Sequence, residues 1–456
     1  MKSKMSILSS EALKKVFTPE TAKTILVFGD LILDSHLKGD VQRISPEAPV
    51  PVLSNPSKEV FMIGGAGNTA HNFVSLGNKV NLVGAIGEAV QGALDQSGEI
   101  LCKLLRSANI STDYLLPLNR HTTKKQRILA NNQQILRIDT EDTKSLNTEE
   151  ENICIEILKK ALENIDGIIV SDYAKGMITA KTIAFLEEFA LNNNIPILID
   201  TKLQNIQFFK RPTLIKPNLK EAQEFTGLTF TGKIEEVAEM AEKLYQKFSS
   251  NVLITCGKLG MLTYDGKEAV SILAKEQEVF DVSGAGDTVI AATMHGLLKG
   301  LSLVDSAIFA TNASSLAIKK KGTVAVSITE LKAELEKIIM PKTWGHEEWI
   351  VNSEYCGKKL VLNEGYCCSL HYHKIKDETF YIAKGKVGFQ LNDEHFILNP
   401  GDSLLITPGT KHRFYGLENS EIFEFSTHHL EEDSYRDEES GTFEKSLFSN
   451  ARNYNG

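Results

Sequence analysis

The octapeptide D-V-S-G-A-G-D-T over residues 281–288 is the part of this chain best equipped for chemistry. Gly284, Ala285 and Gly286 have almost no side chain, so their backbone can approach a phosphate closely and successive N–H groups can converge on it. Asp287 follows at once, and the apolar stretch after it reads as a helix. An anion cradle and a carboxylate therefore stand at a helix N-terminus, where the dipole favours negative charge. That is the equipment for moving a phosphoryl group onto a hydroxyl. A glycine-rich strand-to-helix turn is the ordinary alternative.

Other residues suit the same chemistry. Gly64-Gly65-Ala66-Gly67-Asn68 opens a second helix. Its small residues let a ligand near the backbone, and Asn68 can bond sugar hydroxyls. Asp30 and Asp34 follow an apolar strand, at the carboxyl edge where α/β sheets bind ligands. Asn218 and Glu221, after another strand, have the spacing to organise magnesium and its water. For each carboxylate a helix cap or a solvated charge is the alternative. Far downstream a separate group gathers. His371 and His373 alternate on one strand, Glu378 begins the next, and His412 lies on a later strand. Three imidazoles and one carboxylate form a divalent-metal site with room for water or substrate oxygens.

The elements that must position these groups change character once along the chain. Apolar runs at 24–29, 80–86, 167–171, 196–200, 213–215 and 251–255 alternate with helix-like stretches at 151–164, 181–193 and 234–248. This pattern predicts an α/β parallel sheet covered on both faces. Residues 36–60, with four prolines, and the alternating stretch 113–138 suit a small β lid over one sheet edge. Near Pro341 short strands and glycine turns take over, which predicts a small all-β barrel. The boundaries expected are a lead-in over 1–22, a first domain over 23–335, a joint over 336–343, the β domain over 344–430 and a polar tail over 431–456.

A length of 456 residues calls for two or three domains. The net charge of −9 argues against general nucleic-acid binding. Six scattered cysteines without a C-x-x-C pair, an N-terminus without a long apolar core and no run of membrane-spanning length together point to a cytoplasmic chain without a membrane role.

Over residues 22–335 the chain resembles the ribokinase-like (PfkB) sugar kinases. Gly29-Asp-Leu-Ile-Leu-Asp34, the stretch R-I-S-P-E-A-P-V-P-V over 43–52, Asn132-Gln-Gln-Ile-Leu-Arg-Ile-Asp139 and Ser171-Asp-Tyr-Ala-Lys-Gly176 look like the kinase half of bacterial bifunctional heptose kinase–adenylyltransferases. The resemblance implies ATP and Mg2+ as cofactors, and D-glycero-D-manno-heptose 7-phosphate as the phosphosugar, phosphorylated on its anomeric hydroxyl; a kinase for another phosphosugar or a ketose, or a non-catalytic sugar-binding pseudokinase–cupin sensor, is the alternative. It implies Asp287 as the base, with N–H groups of residues 284–286 stabilising the transferring phosphoryl group. Lys124, Arg127, Arg137 and Lys175 are candidate clamps for the substrate phosphate, and Arg43 lies in the same lid region. Thr255, Gly257 and Asn312 look like nucleotide-side positions. A homodimer through the lid is the expected assembly. Two departures are Glu88 in a run where an Asp is usual two residues after Gly87, and Gly67 in place of alanine. The adenylyltransferase half, with its H-x-G-H signature, has no counterpart in this sequence.

Over 344–428 the chain resembles the cupins. The segment 365–385 fits G-x5-H-x-H-x4-E-x6-G throughout, whereas the proline before His412 is one residue closer than usual. Phe425-Ser-Thr-His-His-Leu and Asp433-Ser-Tyr-Arg436 resemble the end of sugar-isomerase cupins. The resemblance implies a divalent transition metal on His371, His373, Glu378 and His412, and either isomerisation or epimerisation of a sugar phosphate or a non-catalytic sensing role.

Overall fold

Apolar β-branched runs flanked by polar turns become the strands of the first unit, residues 1–332. The computed structural model describes the chain except residues 1, 5–7, 19–21, 91, 131–132, 275–281, 321, 336–337, 353–354, 428–432, 450 and 455–456. Asp281 of the glycine-rich motif and His428 and His429 thus lie outside the described residues.

Nine strands form one sheet, in the order Lys2–Lys4, Ala269–Ile272, Met261–Tyr264, Asn251–Thr255, Leu214–Ile215, Ile197–Asp200, Gly167–Ser171, Thr24–Gly29 and Lys79–Val83. From Asn251–Thr255 to Lys79–Val83 the pairing is parallel throughout. Alternate residues of these strands point to opposite faces. Leu26, Phe28, Ile168, Val170, Ile197 and Ile199 share a core with Leu158, Ile183 and Leu244 of the helices Thr148–Ala161, Ala180–Asn193 and Ile234–Phe248. The helices Ala66–Ser75, Ala285–Leu298 and Leu303–Ile318 form a second packed group.

The lid is a five-stranded sheet built on the long strand Leu31–Ile44. Val60–Gly65 and Pro51–Ser54 pair with it antiparallel, and Lys124–Ala130 pairs parallel and carries the outer strand Gln133–Thr140. The expected lead-in belongs to this unit. Lys2–Lys4 extends the main sheet, and the helix Ser10–Phe17 buries Ala12 and Val16.

The second unit, residues 333–456, is all β. A six-stranded sheet runs Ile338–Lys342, Gly345–Asn352, Tyr355–Leu362, Ser420–Thr427, Glu378–Lys384, Ser403–Ile406. A second sheet contains Leu370–Tyr372, His412–Gly416, Val387–Leu391 and Glu394–Leu398. Leu360, Phe380, Ile382 and Ile422 of the first meet Val387, Phe389, Leu398 and Phe414 of the second in one apolar core. Two expectations are corrected here. The joint over 336–343 contains a strand, Ile338–Lys342, paired with Gly345–Asn352. The segment 431–456 is woven into the second sheet: Tyr435–Glu438 pairs with Leu370–Tyr372, Arg452–Asn453 with Glu394–Leu398, and Phe448 packs into a small apolar cluster with Tyr415. Unpaired strand edges and a few apolar residues suffice to recruit a segment whose overall composition is polar.

Candidate functional site

Gly284 caps the helix Ala285–Leu298 with φ of 77°, a left-handed backbone that glycine adopts freely. A Cβ there would stand 2.6 Å from Asn68 Nδ2, so the glycine also makes room for that amide. Ala285 and Gly286 follow in the first turn, and beside Gly286 the buried Lys216 Nζ meets the half-buried Asp200 Oδ2 at 2.8 Å. Asp287 is buried at the same helix start. Its carboxylate accepts from Asn68 Nδ2 (2.8 Å), Thr69 Oγ1 (3.2 Å) and Tyr173 Oη (2.8 Å). Burial lifts its pKa to about 6 even though these donors pull it down. The group is ionised at neutral pH, yet basic enough to take a proton from a hydroxyl.

The lid presents two faces, and this sorts the candidate cations. Lys125, Arg127 and Arg137 share the face of Asp34, by register and by alternation. Arg127 pairs with Asp34, whose carboxylate lies against Gly64, where a Cβ would stand 2.2 Å from Oδ2. Arg137 is bonded to Asp139 through both Nε and Nη2 at 2.9 Å. Lys175 pairs with Glu141 at 2.7 Å. Lys124 points to the other face, where Glu59 holds it at 2.9 Å. The neighbouring Lys125, which sequence reasoning passed over, stands 5.4 Å from the centre of the Tyr173 ring. Burial, and then the charge of Lys175, lower its pKa.

Several sequence candidates are engaged by the protein itself. Asp30 is buried with its oxygens taken by the backbone N–H groups of Tyr173 (2.8 Å), Lys175 (3.0 Å) and Met177 (3.2 Å). These bonds fix the loop that carries Tyr173. Burial, and then Asp172, push its pKa up to about 6. Asn218 and Glu221 form a capping box on the helix Leu219–Thr226, and Lys202 pairs with Glu221. The helix-cap alternative is thus the arrangement seen in the absence of nucleotide. Thr255 bridges to Asn218, and Gly257 follows it with φ of 58°. Gly65 starts the helix Ala66–Ser75 with φ of 59°. Asn312 is buried on the helix Leu303–Ile318, its Nδ2 donating to the Ile308 carbonyl at 2.8 Å. Tyr173 is the main residue missed. Its hydroxyl reaches Asp287, and Lys125 and Lys202 flank its ring. A tyrosine inside the S-D-Y-A-K-G stretch was the available signal.

In the second unit, ring nitrogens of His371, His373 and His412 lie within 4.8 Å of one another. Each Nδ1 faces a backbone carbonyl: Ser369 at 2.8 Å, Asp433 at 2.7 Å and Thr410 at 3.1 Å. These bonds place the proton on Nδ1 and leave each Nε2 as a lone pair, the arrangement that orients metal-binding imidazoles. Burial, and then His412, drop the His371 pKa to about 3, and burial lowers that of His373, so both rings are neutral. Glu378 Oε2 faces His412 Nε2 at 3.0 Å, and neither buried atom has a hydrogen-bond donor. An unpartnered carboxylate oxygen beside three clustered ring nitrogens is a donor set that fits a metal. The other oxygen of Glu378 is held by Lys376. The shortened turn before His412 closes through Gly409, with φ of 85° and its N–H on the His373 carbonyl.

No helix among the described residues is long and apolar enough to cross a membrane. All six cysteines are unpaired and buried.

Comparison with known proteins gives a family for each unit. Residues 22–330 match the pfkB family carbohydrate kinase model, and residues 360–425 match the cupin domain model. The chain is 35% identical over 372 residues to the bifunctional protein HldE of Sulfurimonas denitrificans, covering 79% of this chain and 75% of that one. It is 34% identical over 382 residues to HldE of Geobacter sulfurreducens, covering 82% and 76%. Escherichia coli phosphofructokinase-2 in complex with substrates and products shares the fold, with a TM-score of 0.56 at 20% identity over 69% of this chain and all of that one. With its glycine cradle, buried aspartate and β lid, the chain belongs to the pfkB family of ATP-dependent carbohydrate kinases and carries a C-terminal cupin domain.

Proposed function

We propose that the first unit transfers the γ-phosphoryl group of ATP to the anomeric hydroxyl of D-glycero-D-manno-heptose 7-phosphate, giving the 1,7-bisphosphate. The observation that carries the chemistry is Asp287. It is a buried carboxylate at a helix N-terminus, fixed by Asn68, Thr69 and Tyr173 and poised by burial near pH 6. It accepts the hydroxyl proton as the oxygen attacks phosphorus. The N–H groups of residues 284–286 and the Lys216 ammonium offset charge on the transferring group. MgATP supplies the phosphoryl group together with the metal that neutralises its charge. The choice of heptose phosphate is supported by the lid motifs and by the likeness to HldE proteins across the kinase half. On the substrate side of the lid, Lys125 and Arg127 are the cations nearest Asp34 and Tyr173, which suits them to the sugar phosphate. The outer lid strand exposes Ile135, Leu136 and Ile138, which supports a homodimer through the lid. Phosphorus NMR with ATP, magnesium and the heptose 7-phosphate tests the reaction. A new anomeric phosphate signal, lost in Asp287→Asn, is expected, and acceptance of other phosphosugars alone would remove the heptose assignment.

The histidine cluster favours a second activity for the cupin. We infer that it binds a divalent transition metal through His371, His373 and His412, with Glu378, and acts on a sugar phosphate as an isomerase or epimerase. Such a cation, when bound, supplies Lewis acidity toward a carbonyl oxygen. Proton exchange at carbon next to the carbonyl, followed by NMR in D2O with and without chelator, tests this. Binding without exchange would make the cupin a sensor.

A further inference from the structure

Lys202 follows the strand Ile197–Asp200, and its backbone is anchored. Asp172, buried in the first unit, accepts from the Lys202 N–H (3.0 Å), the Thr201 hydroxyl (2.7 Å) and Asn205 Nδ2 (3.0 Å). The Lys202 side chain is 36% exposed and reaches Glu221, which is 8% exposed in the first turn of the helix Leu219–Thr226. One Glu221 oxygen accepts from the Asn218 N–H at 2.9 Å, and the Lys202 ammonium holds the other. The same ammonium stands 5.5 Å from the centre of the Tyr173 ring, whose hydroxyl reaches Asp287. Burial works against charge on Lys202, but Asp200, Glu221 and Asp172 outweigh it and raise its pKa, so the group is a cation at neutral pH.

A nearly buried carboxylate needs a cation or a set of donors, because an unpaired charge there is strongly destabilising. Glu221 has one N–H and one ammonium. The residue type is informative. An arginine would grip the carboxylate through two parallel N–H bonds, whereas a lysine is a compact point charge on a flexible stem and lets go more readily. Magnesium, when bound, takes oxygen ligands, commonly one or two carboxylates together with substrate phosphates. The Lys202 ammonium is thus a stand-in ion on a carboxylate oxygen that fits such a metal, and a double charge attracts that oxygen more strongly than a single one. We propose that Lys202 is a displaceable counter-ion that competes with divalent metal for Glu221 and keeps free metal off this carboxylate until nucleotide brings it. On release the backbone of Lys202 stays anchored at Asp172, so its ammonium remains in the site as a positive charge for the phosphates. The part given to nucleotide rests on the kinase reading above.

The experiment titrates full-length protein with Mn(II) in nucleotide-free buffer and follows binding by electron paramagnetic resonance. Wild type, Lys202→Met, Glu221→Gln and the double variant are compared. The histidine cluster of the second unit is the same in all of them, so differences belong to the first unit. If Lys202 leaves Glu221 about a tenth of the time, its removal tightens Mn(II) binding there about tenfold. Lys202→Met is therefore expected to show a Mn(II) site that wild type fills only at about ten times the concentration, and Glu221→Gln is expected to abolish it. Lys202→Arg keeps the cation and is expected to match wild type. Should Lys202→Met fail to fold, Lys202→Gln, equally uncharged, replaces it. A lysine that merely braced the fold would leave metal affinity unchanged or lower it. No gain of Mn(II) binding in the uncharged variants, a gain that survives Glu221→Gln, or wild type binding at Glu221 as tightly as Lys202→Met would overturn the proposal. The titration needs no turnover. A chain that shows the competition yet forms no product from ATP and any phosphosugar would overturn the kinase reading instead.

Discussion

If Asp287 is the base, its protonation must control the rate. Burial carries its carboxyl from 3.8 to about 6, so it is about nine-tenths ionised at pH 7 and about one-tenth at pH 5. The sign is fixed, because only the ionised form can accept the hydroxyl proton. The value of kcat/KM therefore falls roughly tenfold from pH 7 to pH 5, with unit slope below the midpoint. Asp287→Asn removes the base and lowers turnover by about 10²–10⁴-fold at pH 7 while phosphosugar binding persists. Tyr173→Phe gives a sharper test. The Tyr173 hydroxyl donates to the carboxylate at 2.8 Å and so stabilises the ionised form. A hydrogen bond to a charged group contributes on the order of 1.5 kcal/mol, so its loss moves the midpoint up by about one unit. The assay is ADP release at subsaturating phosphosugar from pH 5 to 8.5, with product confirmed by phosphorus NMR. Asp287→Asn within tenfold of wild type, or a Tyr173→Phe midpoint that stays in place, would refute the assignment.

The remaining predictions concern both units. Lys125→Met raises the KM for phosphosugar about tenfold with little change in turnover, whereas Lys124→Met, on the other lid face, changes neither by more than about twofold; steady-state kinetics separates them. Chelator lowers the melting temperature of the cupin transition, and metal at about a hundred times its dissociation constant restores about 2.7 kcal/mol, read by calorimetry; His412→Ala abolishes this response. Asp433→Ala strips the acceptor from the N–H groups of Lys374, Ile375 and Lys376, so metal affinity drops about 10–100-fold in a competition titration.

Motif chemistry was legible in the linear order because it depends on local spacing. A glycine cradle, an aspartate in the first helical turn and H-x-H on a strand each assemble within a few residues, whatever the rest of the fold does. The strand and helix alternation was legible for the same reason, since burial on both sheet faces requires near-continuous apolar runs. Lys124 and Lys125 are the opposite case. Adjacent residues on a strand face opposite ways, and only the register with Asp34 and Asp139 shows that Lys125 shares the face of Asp34. Asp30 likewise reads as a substrate carboxylate until the loop at 173–177 returns to occupy its oxygens. Composition misled over 431–456, where a polar segment completes a sheet and Asp433 braces a metal-binding loop.

The sequence by itself therefore determined the two domain types and set the glycine turn, Asp287 and the histidine set in recognisable motifs, because each is written in short-range order. Tertiary structure alone decided which lysine shares the lid face of Asp34, which carboxylates are already engaged, and that Lys342, Glu347, Lys358, Glu424, Lys376 and Glu378 line up in alternating sign. Those six come from separate strands and a loop up to 82 residues apart in the numbering. Only sheet pairing, which the periodicity of one strand cannot specify, brings them together.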